Sequence, residues 1–380
     1  MVIMTRFGFL STYPPTRCGL ATFTAALAGA LADGEPHAPT IIRVLDVKES
    51  PRGAAGIGRI PSTVDLVGGN RVTMRAAVRA LEECDVAVVQ HEYGIYAGPD
   101  GDEIIPLLRS LNTPAIVVLH TVLTAPTAHQ RVVLDTVCKL AAIVVVMTDN
   151  AREILMRTYS VQRSKVRVIP HGVSVPREAH VSNDGGPKRV LTWGLLSPGK
   201  GIEWGIRALA QLQDAGASVE YVIAGQTHPK VLAREGERYR ETLQRLIDDL
   251  DLTGVVTLDD RYLDDAQLAE KVARADVVLL PYDSRDQATS GVLIEAVAAG
   301  VPVVATGFPH AVELLGKGAG IIARHQDPQS MAAAIRTILG EAATAQQMHD
   351  AALQHTQDAS WPAVAEQYRA LADRMVAIAA

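Results

Sequence analysis

Two short segments carry residues whose types and spacing suit phosphate chemistry. The segment TSGVLIEAVAAG begins at Thr289 and places Ser290 and Gly291 directly in front of a predicted helix. A helix N-terminus carries unpaired N–H groups and about half a positive charge, so it suits an anion. An ordinary Ser290 cap on a core helix explains the same residues. The segment LLSPGKGIEW sets Lys200 between glycines before another helix, where it could clamp a phosphate or simply be exposed.

Other candidate groups follow predicted strands. The segment QHEYGIY places His91, Glu92 and Tyr93 beside glycines, which suits a polyhydroxylated ligand, although surface loops are polar anyway. His120 ends another apolar run, and a lone strand-end histidine is more often structural than catalytic. Gly19 follows STYPPTRC at a helix start, where it could admit a substrate to the backbone or form a simple tight turn.

These segments must be positioned by alternating strands and helices. Continuous apolar runs separated by helical patterns indicate parallel sheets covered on both faces. The predicted strands are RFGFL, TIIRVLD, DVAVVQ, PAIVVLH, AAIVVVM and KVRVIP in the first half, and RVLTWG, VEYVIAG, VVTLD, DVVLLPY, VPVVAT and AGIIA in the second. The pattern restarts after GVSVPREAHVSNDGGPK, which is the predicted linker. We therefore expect two doubly wound α/β domains with a ligand cleft between the carboxyl ends of two facing sheets.

Composition excludes several classes of protein. The chain has 380 residues, 48% of them hydrophobic, which fits two globular domains. The net charge of -6 gives no general attraction for nucleic acid or anionic lipid. The strongest local basic pattern is Arg71, Arg75 and Arg79, which a solvated helix face explains. No nucleic-acid partner is expected, and a homo-oligomer is compatible with the sequence.

The cysteines and the apolar segments indicate a cytoplasmic protein. Cys18, Cys84 and Cys138 are widely spaced and read as reduced thiols. The first residues, MVIMTRFGFLSTYPP, do not resemble a secretion signal, and no window of about twenty apolar residues predicts a membrane span. We expect no stable membrane insertion.

Neither a dinucleotide nor a metal is expected as a cofactor. The segment STYPPTRCGLATF is not GxGxxG, so a dinucleotide fingerprint is unsupported. Acidic pairs occur on helix surfaces or strand exits without a shared site, which argues against a metal. These pairs are Asp248–Asp249, Asp259–Asp260 and Asp264–Asp265.

Taken together, the motifs resemble those of one enzyme family. A glycine loop, a strand-end histidine, PHGV, GLLSPGKG, LPY, SGVLIEAVAAGVPVVAT and a terminal helix follow one another in the order found in retaining GT-B glycosyltransferases. This large family, glycosyl transferases group 1, includes sucrose-phosphate synthase and bacterial mannosyltransferases. The resemblance implies two Rossmann-like domains facing each other across a cleft. Residues 1–178 would form the acceptor side, completed by a returning helix at 363–380, and residues 187–362 would bind the nucleotide sugar.

The resemblance also implies roles for the residues of the second half. Glu295 matches the glutamate that binds the donor ribose. Gln287 occupies the position of the usual first glutamate, which contacts the donor sugar, and an amide can also bind hydroxyls. Lys200 matches the phosphate-binding lysine. Four residues match the backbone at the diphosphate: Ser290, Gly291, Val292 and Leu293.

Further roles are implied at other loops, with one departure. Leu195 replaces the arginine that usually accompanies the lysine, and the sequence does not identify a substitute. Gly19 matches the glycine of the family's first loop and is expected to contact the donor, and His120 matches the histidine near the transferred sugar. The nucleotide base is expected at the loop of Arg261 and Tyr262, and the acceptor at His91, Glu92 and Tyr93.

The implied activity is retaining transfer of mannose or glucose from a nucleotide sugar to a hydroxyl of a soluble carbohydrate acceptor, with no metal required. The expected catalytic set is His120, Lys200, Gln287 and Glu295, and GDP-mannose is favoured over UDP-glucose as the donor. Two alternatives remain open at this point. One is a nucleotide-sugar 2-epimerase of the same form, and the other is a catalytically idle nucleotide-sugar-binding protein.

Overall fold

The computed structural model describes residues 5–45, 60–61, 63–174, 186–261 and 263–379. The chain divides into two compact units. The first contains Met1–Gly172 together with Ala359–Ala380, and the second contains Val173–Asp358. Most of the predicted linker, and Tyr262, lie outside the described residues.

A parallel sheet forms the centre of the first unit. Among the described residues its strands are β1 (Phe7–Ser11), β2 (Thr40–Leu45), β3 (Val64–Val67), β4 (Val86–His91), β5 (Ala115–Leu119), β6 (Ile143–Val146) and β7 (Val166–Val168). The order is β3-β2-β1-β4-β5-β6-β7, and every pairing is parallel. The strand order reverses between β1 and β4, which is where ligands of such sheets bind.

Helices connect these strands. They are α1 (Gly19–Ala32), α2 (Arg71–Glu82), α3 (Ile104–Arg109), α4 (Ala128–Leu140) and α5 (Asp149–Thr158). All residues of β4 (VAVVQH) and β5 (AIVVL) are buried, as a sheet covered on both faces requires. Strand β3 was not predicted, because its sequence VDLV is short and carries a charge. Asp65 of β3 forms a bidentate ion pair with Arg43 of β2, at 2.8 Å for both contacts.

The second unit repeats this architecture with its own parallel sheet. Its described strands are β8 (Lys188–Trp193), β9 (Val219–Ala224), β10 (Val256–Asp259), β11 (Val277–Leu280), β12 (Val303–Thr306) and β13 (Gly320–Ala323), in the order β10-β9-β8-β11-β12-β13. The helices are α6 (Ile202–Asp214), α7 (Pro229–Glu235), α8 (Arg238–Asp249), α9 (Asp265–Ala273), α10 (Gly291–Ala298), α11 (Pro309–Leu314), α12 (Pro328–Gly340) and α13 (Ala342–Thr356). Here the order reverses between β8 and β11.

The last helix, α14 (Trp361–Ala379), belongs to the first unit. Its apolar face packs on α1, and Tyr368 is buried in the same core as Phe23 and Leu27. The Trp361 ring meets the Phe23 ring edge-on at 5.2 Å between centroids. The prediction of two doubly wound α/β domains with a returning C-terminal helix is therefore confirmed.

Candidate active site

Loops after β8 and β11 meet at the reversal point of the second sheet. The backbone N–H of Asp283 donates to the carbonyl of Gly199 at 3.0 Å, which ties the two loops together. Gly201 has a φ of +63°, and a Cβ there would lie 1.9 Å from the carbonyl oxygen of Pro281. Only glycine therefore allows this close approach, which fixes the loop on either side of Lys200.

The ammonium of Lys200 lies over an aromatic ring rather than beside an acid. Its Nζ is 4.1 Å from the ring centroid of Tyr282, the tyrosine of the LPY segment. Within the described part of the chain no carboxylate forms an ion pair with Lys200. The ring orients the ammonium through a cation–π contact without neutralising it. Lys200 is thus a positioned positive charge that an incoming anion can pair with.

The first turn of α10 lies beside this loop. Gly194 has a φ of +113°, and a Cβ at this position would be 3.6 Å from the Val292 side chain. Ser290 caps the helix, since its Oγ accepts from the N–H of Leu293 at 3.2 Å. Because first-turn N–H groups have no acceptor within the helix, those of Gly291 and Val292 remain available to a ligand. The structure therefore brings Lys200 and the α10 N-terminus to one edge of the sheet.

The two polar side chains expected to bind the donor have defined partners. The indole Nε1 of Trp193 donates to Glu295 Oε2 at 3.4 Å, which orients the carboxylate from the end of β8. The amide Nε2 of Gln287 donates to the carbonyl of Thr289 at 3.2 Å. The Gln287 amide therefore braces the turn into α10, a structural contact that the sequence did not indicate.

Leu195, which stands where the family usually has an arginine, is half-buried. The segment after β9 adjoins this loop, because the backbone N–H of His228 donates to the carbonyl of Leu196 at 2.8 Å. Burial lowers the pKa of His228, and nearby cations, Lys200 among them, lower it further. His228 is consequently a neutral imidazole at neutral pH and does not replace a guanidinium.

The Arg261 side chain is engaged by the protein itself. Its Nε and Nη2 donate to the Asp259 carboxylate at 2.8 and 2.7 Å, and Lys271 Nζ lies 3.1 Å from the same carboxylate. The Arg261 hydrogen bonds hold the pKa of Asp259 well below its usual range. The structure thus places Arg261 beside the end of β10, with its guanidinium paired rather than free for a base.

In the first unit, His120 is held in a neutral form. Its Nε2 is 2.7 Å from Gln90 Oε1, and its ring meets the Phe23 ring edge-on at 4.9 Å between centroids. Burial, followed by the neighbouring His171 and His91, lowers the pKa of His120 to about 3. The imidazole can therefore donate or accept a hydrogen bond without carrying a charge.

The three residues expected at the acceptor do not form an open loop. His91 is the last residue of β4 and only 1% exposed, and burial lowers its pKa to about 4. Glu92 accepts from the N–H of Tyr93 at 2.9 Å and from the hydroxyl of Thr121. The Tyr93 hydroxyl donates to the carbonyl of Gln130 at 3.4 Å. Glu92 and Tyr93 thus use hydrogen-bonding capacity within the protein, whereas His91 Nδ1 is buried with no hydrogen-bond partner among the described residues.

Gly19 begins α1 with open space around it. A Cβ at this position would meet no atom within 4 Å, so packing within the described residues does not require glycine. The helix also lacks a side-chain cap at Cys18. An exposed helix start of this kind leaves room for a ligand next to the backbone.

Several supporting residues were not singled out from the sequence. They are Gln90, Trp193, Tyr282 and His310, and each contacts a predicted site residue. The described residues contain no group of three His, Cys, Asp or Glu side chains arranged to hold a metal ion. Among the described helices, none combines the length and apolar character needed to cross a bilayer.

Comparison with known proteins identifies the family. Residues 18–177 match the model described as Glycosyltransferase Family 4, and residues 187–341 match the model Glycosyl transferases group 1. The chain belongs to the glycosyl transferases group 1 family. The resemblance drawn from the sequence motifs is thereby confirmed, and the second match spans Lys200, Gln287 and Glu295.

Relatives within the family carry different names. A D-inositol 3-phosphate glycosyltransferase of Kineococcus radiotolerans is 30% identical over 288 residues, which are 69% of this chain and 64% of that protein. A glycogen synthase of Mycobacterium tuberculosis is 30% identical over 207 residues, which are 53% of this chain and 47% of that protein. The matched part of the chain thus spans less than two thirds of the length of these relatives.

Solved structures share the GT-B fold over nearly the whole chain. HepE of Anabaena in complex with UDP has a TM-score of 0.74 at 17% identity, covering 96% of this chain and 99% of that one. Sucrose-phosphate synthase from Thermosynechococcus elongatus has a TM-score of 0.74 at 19% identity, covering 98% of this chain and all (100%) of that one. At these identities the likeness concerns the fold.

Proposed function

We propose that this chain is a retaining glycosyltransferase that transfers a hexose from a nucleotide sugar to a hydroxyl of a carbohydrate acceptor. The observation that carries the proposal is that Lys200, which forms no ion pair with a described carboxylate and lies over Tyr282, shares one edge of the second sheet with the first turn of α10. Both features attract the same kind of group, an anion that approaches the carboxyl edge of the second sheet. A nucleoside diphosphate fits this requirement, and family membership supplies the chemical context.

The proposed chemistry uses charge where it develops. When the bond between the sugar and the diphosphate breaks, negative charge grows on the departing phosphate oxygen. The Lys200 ammonium and the N–H groups of Gly291 and Val292 would stabilise this charge in the transition state. Since these groups can supply the positive charge, we propose that the reaction does not require a metal ion.

The remaining site residues receive the roles that the family resemblance implies. Glu295, oriented by Trp193, would accept hydrogen bonds from the donor ribose. His120, neutral and fixed by Gln90, would hydrogen-bond the transferred sugar. Retention of configuration follows from the family resemblance, in which a donor phosphate oxygen takes the proton of the acceptor hydroxyl. No carboxylate pair of the glycosidase kind is then needed.

The donor class is supported by a structural neighbour. HepE of Anabaena has been solved with UDP-glucose, and for this reason UDP-glucose is tested beside GDP-mannose as a donor. The acceptor side would be the end of β4 around Glu92 and Tyr93. We propose a soluble sugar or oligosaccharide as the acceptor and the cytoplasm as the location.

One experiment separates transfer from the two alternatives. The protein is incubated with UDP-glucose or GDP-mannose, with and without a panel of mono- and oligosaccharides, in the presence of EDTA. Products are followed by mass spectrometry, and the new linkage by NMR. We expect acceptor-dependent release of the nucleoside diphosphate and an α-linked product. Epimerised donor without acceptor, binding without turnover, or activity that EDTA abolishes would each contradict a stated part of the proposal.

A further inference from the structure

One buried residue holds both ends of the turn that begins α10. His310 is 5% exposed and lies in the first turn of α11, directly after Pro309. Its Nδ1 accepts a hydrogen bond from the backbone N–H of Ser290 at 2.8 Å. The backbone N–H of His310 donates to the carbonyl of Gln287 at 3.4 Å. The segment from Gln287 to Ser290 is therefore fastened at its first and last residues by His310.

The chemistry of the imidazole makes this contact specific. Nδ1 can accept from Ser290 only with its lone pair, so the ring hydrogen must be on Nε2. Ser290 is itself 3% exposed, so its N–H would be a buried donor without a partner if the imidazole were removed. An unsatisfied buried donor is costly, and the turn would move to find another acceptor.

The residues from the end of β12 to His310 also support Tyr282, the ring under Lys200. The ring of Phe308 stacks on the Tyr282 ring, with 5.3 Å between centroids and 22° between planes. Tyr282 also contacts the Lys200 ammonium, whose Nζ lies 4.1 Å from the centroid of the ring. Thr306 Oγ1 donates to the carbonyl of Tyr282 at 2.6 Å. The end of β12 and the residues that follow it thus contact Tyr282, which lies under Lys200, and Ser290, which caps α10.

We infer that His310 is a positioning residue for the donor diphosphate, acting through the backbone of Ser290. By fixing Ser290, it sets the direction of the N–H groups of Gly291 and Val292. It would act on the donor only through the turn. The inference rests on the proposed function, because it concerns the anion that the α10 entry would bind.

The test compares two substitutions that differ in one hydrogen-bond acceptor. His310→Asn places an amide oxygen about where Nδ1 lies, while His310→Leu fills the space with no acceptor. Full-length variants are titrated calorimetrically with UDP, UMP, GDP and GMP, and their thermal midpoints are recorded. We expect His310→Leu to weaken diphosphate binding about 10-fold, and His310→Asn to remain within about 3-fold of the parent.

A matched control lies at the other end of the same helix. His349 Nδ1 donates to the carbonyl of Gly300 at 2.8 Å, just after α10. His349→Leu should lower the thermal midpoint while leaving nucleotide affinity unchanged. If His310 had only a structural role, His310→Leu would behave like His349→Leu. The ratio of diphosphate to monophosphate affinity would then stay at its parental value.

The outcomes separate the inference from the proposed function. If the parent binds none of the nucleotides, the proposed function fails and takes the inference with it. If the parent binds a diphosphate and His310→Leu binds it equally well, the inference alone is overturned. Should His310→Leu not fold, His310→Gln replaces it, because its amide extends one bond beyond Nδ1. The inference then requires His310→Gln to bind more weakly than His310→Asn, and equal binding overturns it.

Discussion

Replacing Gln287 by glutamate is expected to weaken nucleoside diphosphate binding, although glutamate is the usual family residue at this position. The Gln287 amide donates to the Thr289 carbonyl at 3.2 Å. A carboxylate can only accept, so Gln287→Glu sets two oxygens against each other in the turn that leads into α10. An unsatisfied or mismatched group of this kind costs about 1–3 kcal/mol. If that cost appears in the bound state, affinity falls by about 5- to 150-fold.

A neutral variant separates the lost hydrogen bond from the repulsion. Gln287→Met has a similar length, no charge and no donor, so it loses only the bond to Thr289. A neutral hydrogen bond contributes about 0.5–1.5 kcal/mol, which predicts a loss of about 2- to 10-fold. Calorimetric titration with UDP and GDP should therefore rank the parent first, Gln287→Met second and Gln287→Glu last.

The opposite result would change the role of Gln287. If Gln287→Glu binds free diphosphate as tightly as the parent, its contact with Thr289 does not set the helix entry. Gln287 would then act only on the donor sugar, as the family resemblance alone implies. Affinities for the intact nucleotide sugar and for the free diphosphate are therefore measured side by side. In this case Gln287→Glu would change the affinity for the nucleotide sugar and leave that for the diphosphate unchanged.

Three further predictions concern other parts of the site. Glu295→Ala should weaken diphosphate and nucleotide sugar by similar factors of about ten to a hundred, since charge-assisted hydrogen bonds contribute about 1.5–3 kcal/mol; unchanged calorimetric affinity would remove Glu295 from the donor site. His120→Ala should lower kcat with little change in diphosphate affinity, and unaltered kcat would leave His120 a structural residue. Burial lowers the pKa of His91 to about 4 in the folded protein. Because His91 of the unfolded chain binds its proton at a higher pH, protonation favours unfolding as the pH falls. The free energy of unfolding of the parent in urea should therefore decrease from pH 7 to pH 5. His91→Phe should reduce the loss of unfolding free energy between pH 7 and pH 5 by about 2 kcal/mol. An unchanged loss would contradict the argument from the burial of His91.

The sheet strands could be predicted because their chemistry is local. The VVAT run of β12 and the VVLL run of β11 are continuous and apolar, as buried parallel strands must be. Strand β3 escaped prediction because Asp65 interrupts its apolar pattern. Its charge is compensated by Arg43 from a different strand, and that partner becomes visible only when β2 and β3 pair.

The site was predicted by residue type but not by contact. Ser290 and Lys200 could be selected from glycine-flanked loops before helices, and the cap at Ser290 has the expected local geometry. The tertiary partners could not be selected, since Tyr282 under Lys200 is 82 positions away along the chain. For Arg261 the expected ligand contact was chosen without regard to a near neighbour in the sequence. The guanidinium of Arg261 is paired with the carboxylate of Asp259.

The most direct test of the proposed site is the contribution of the second phosphate to binding. The parent, Lys200→Met and Lys200→Arg are titrated with uridine and guanosine mono- and diphosphates at one salt concentration. We expect the parent to prefer the diphosphate, Lys200→Arg to keep most of this preference, and Lys200→Met to lose about 10- to 100-fold in diphosphate affinity with a smaller change for the monophosphate. Equal affinities of the parent for mono- and diphosphate, or a Lys200→Met variant that retains the full preference, would contradict the assignment of Lys200 and the α10 entry as the diphosphate site.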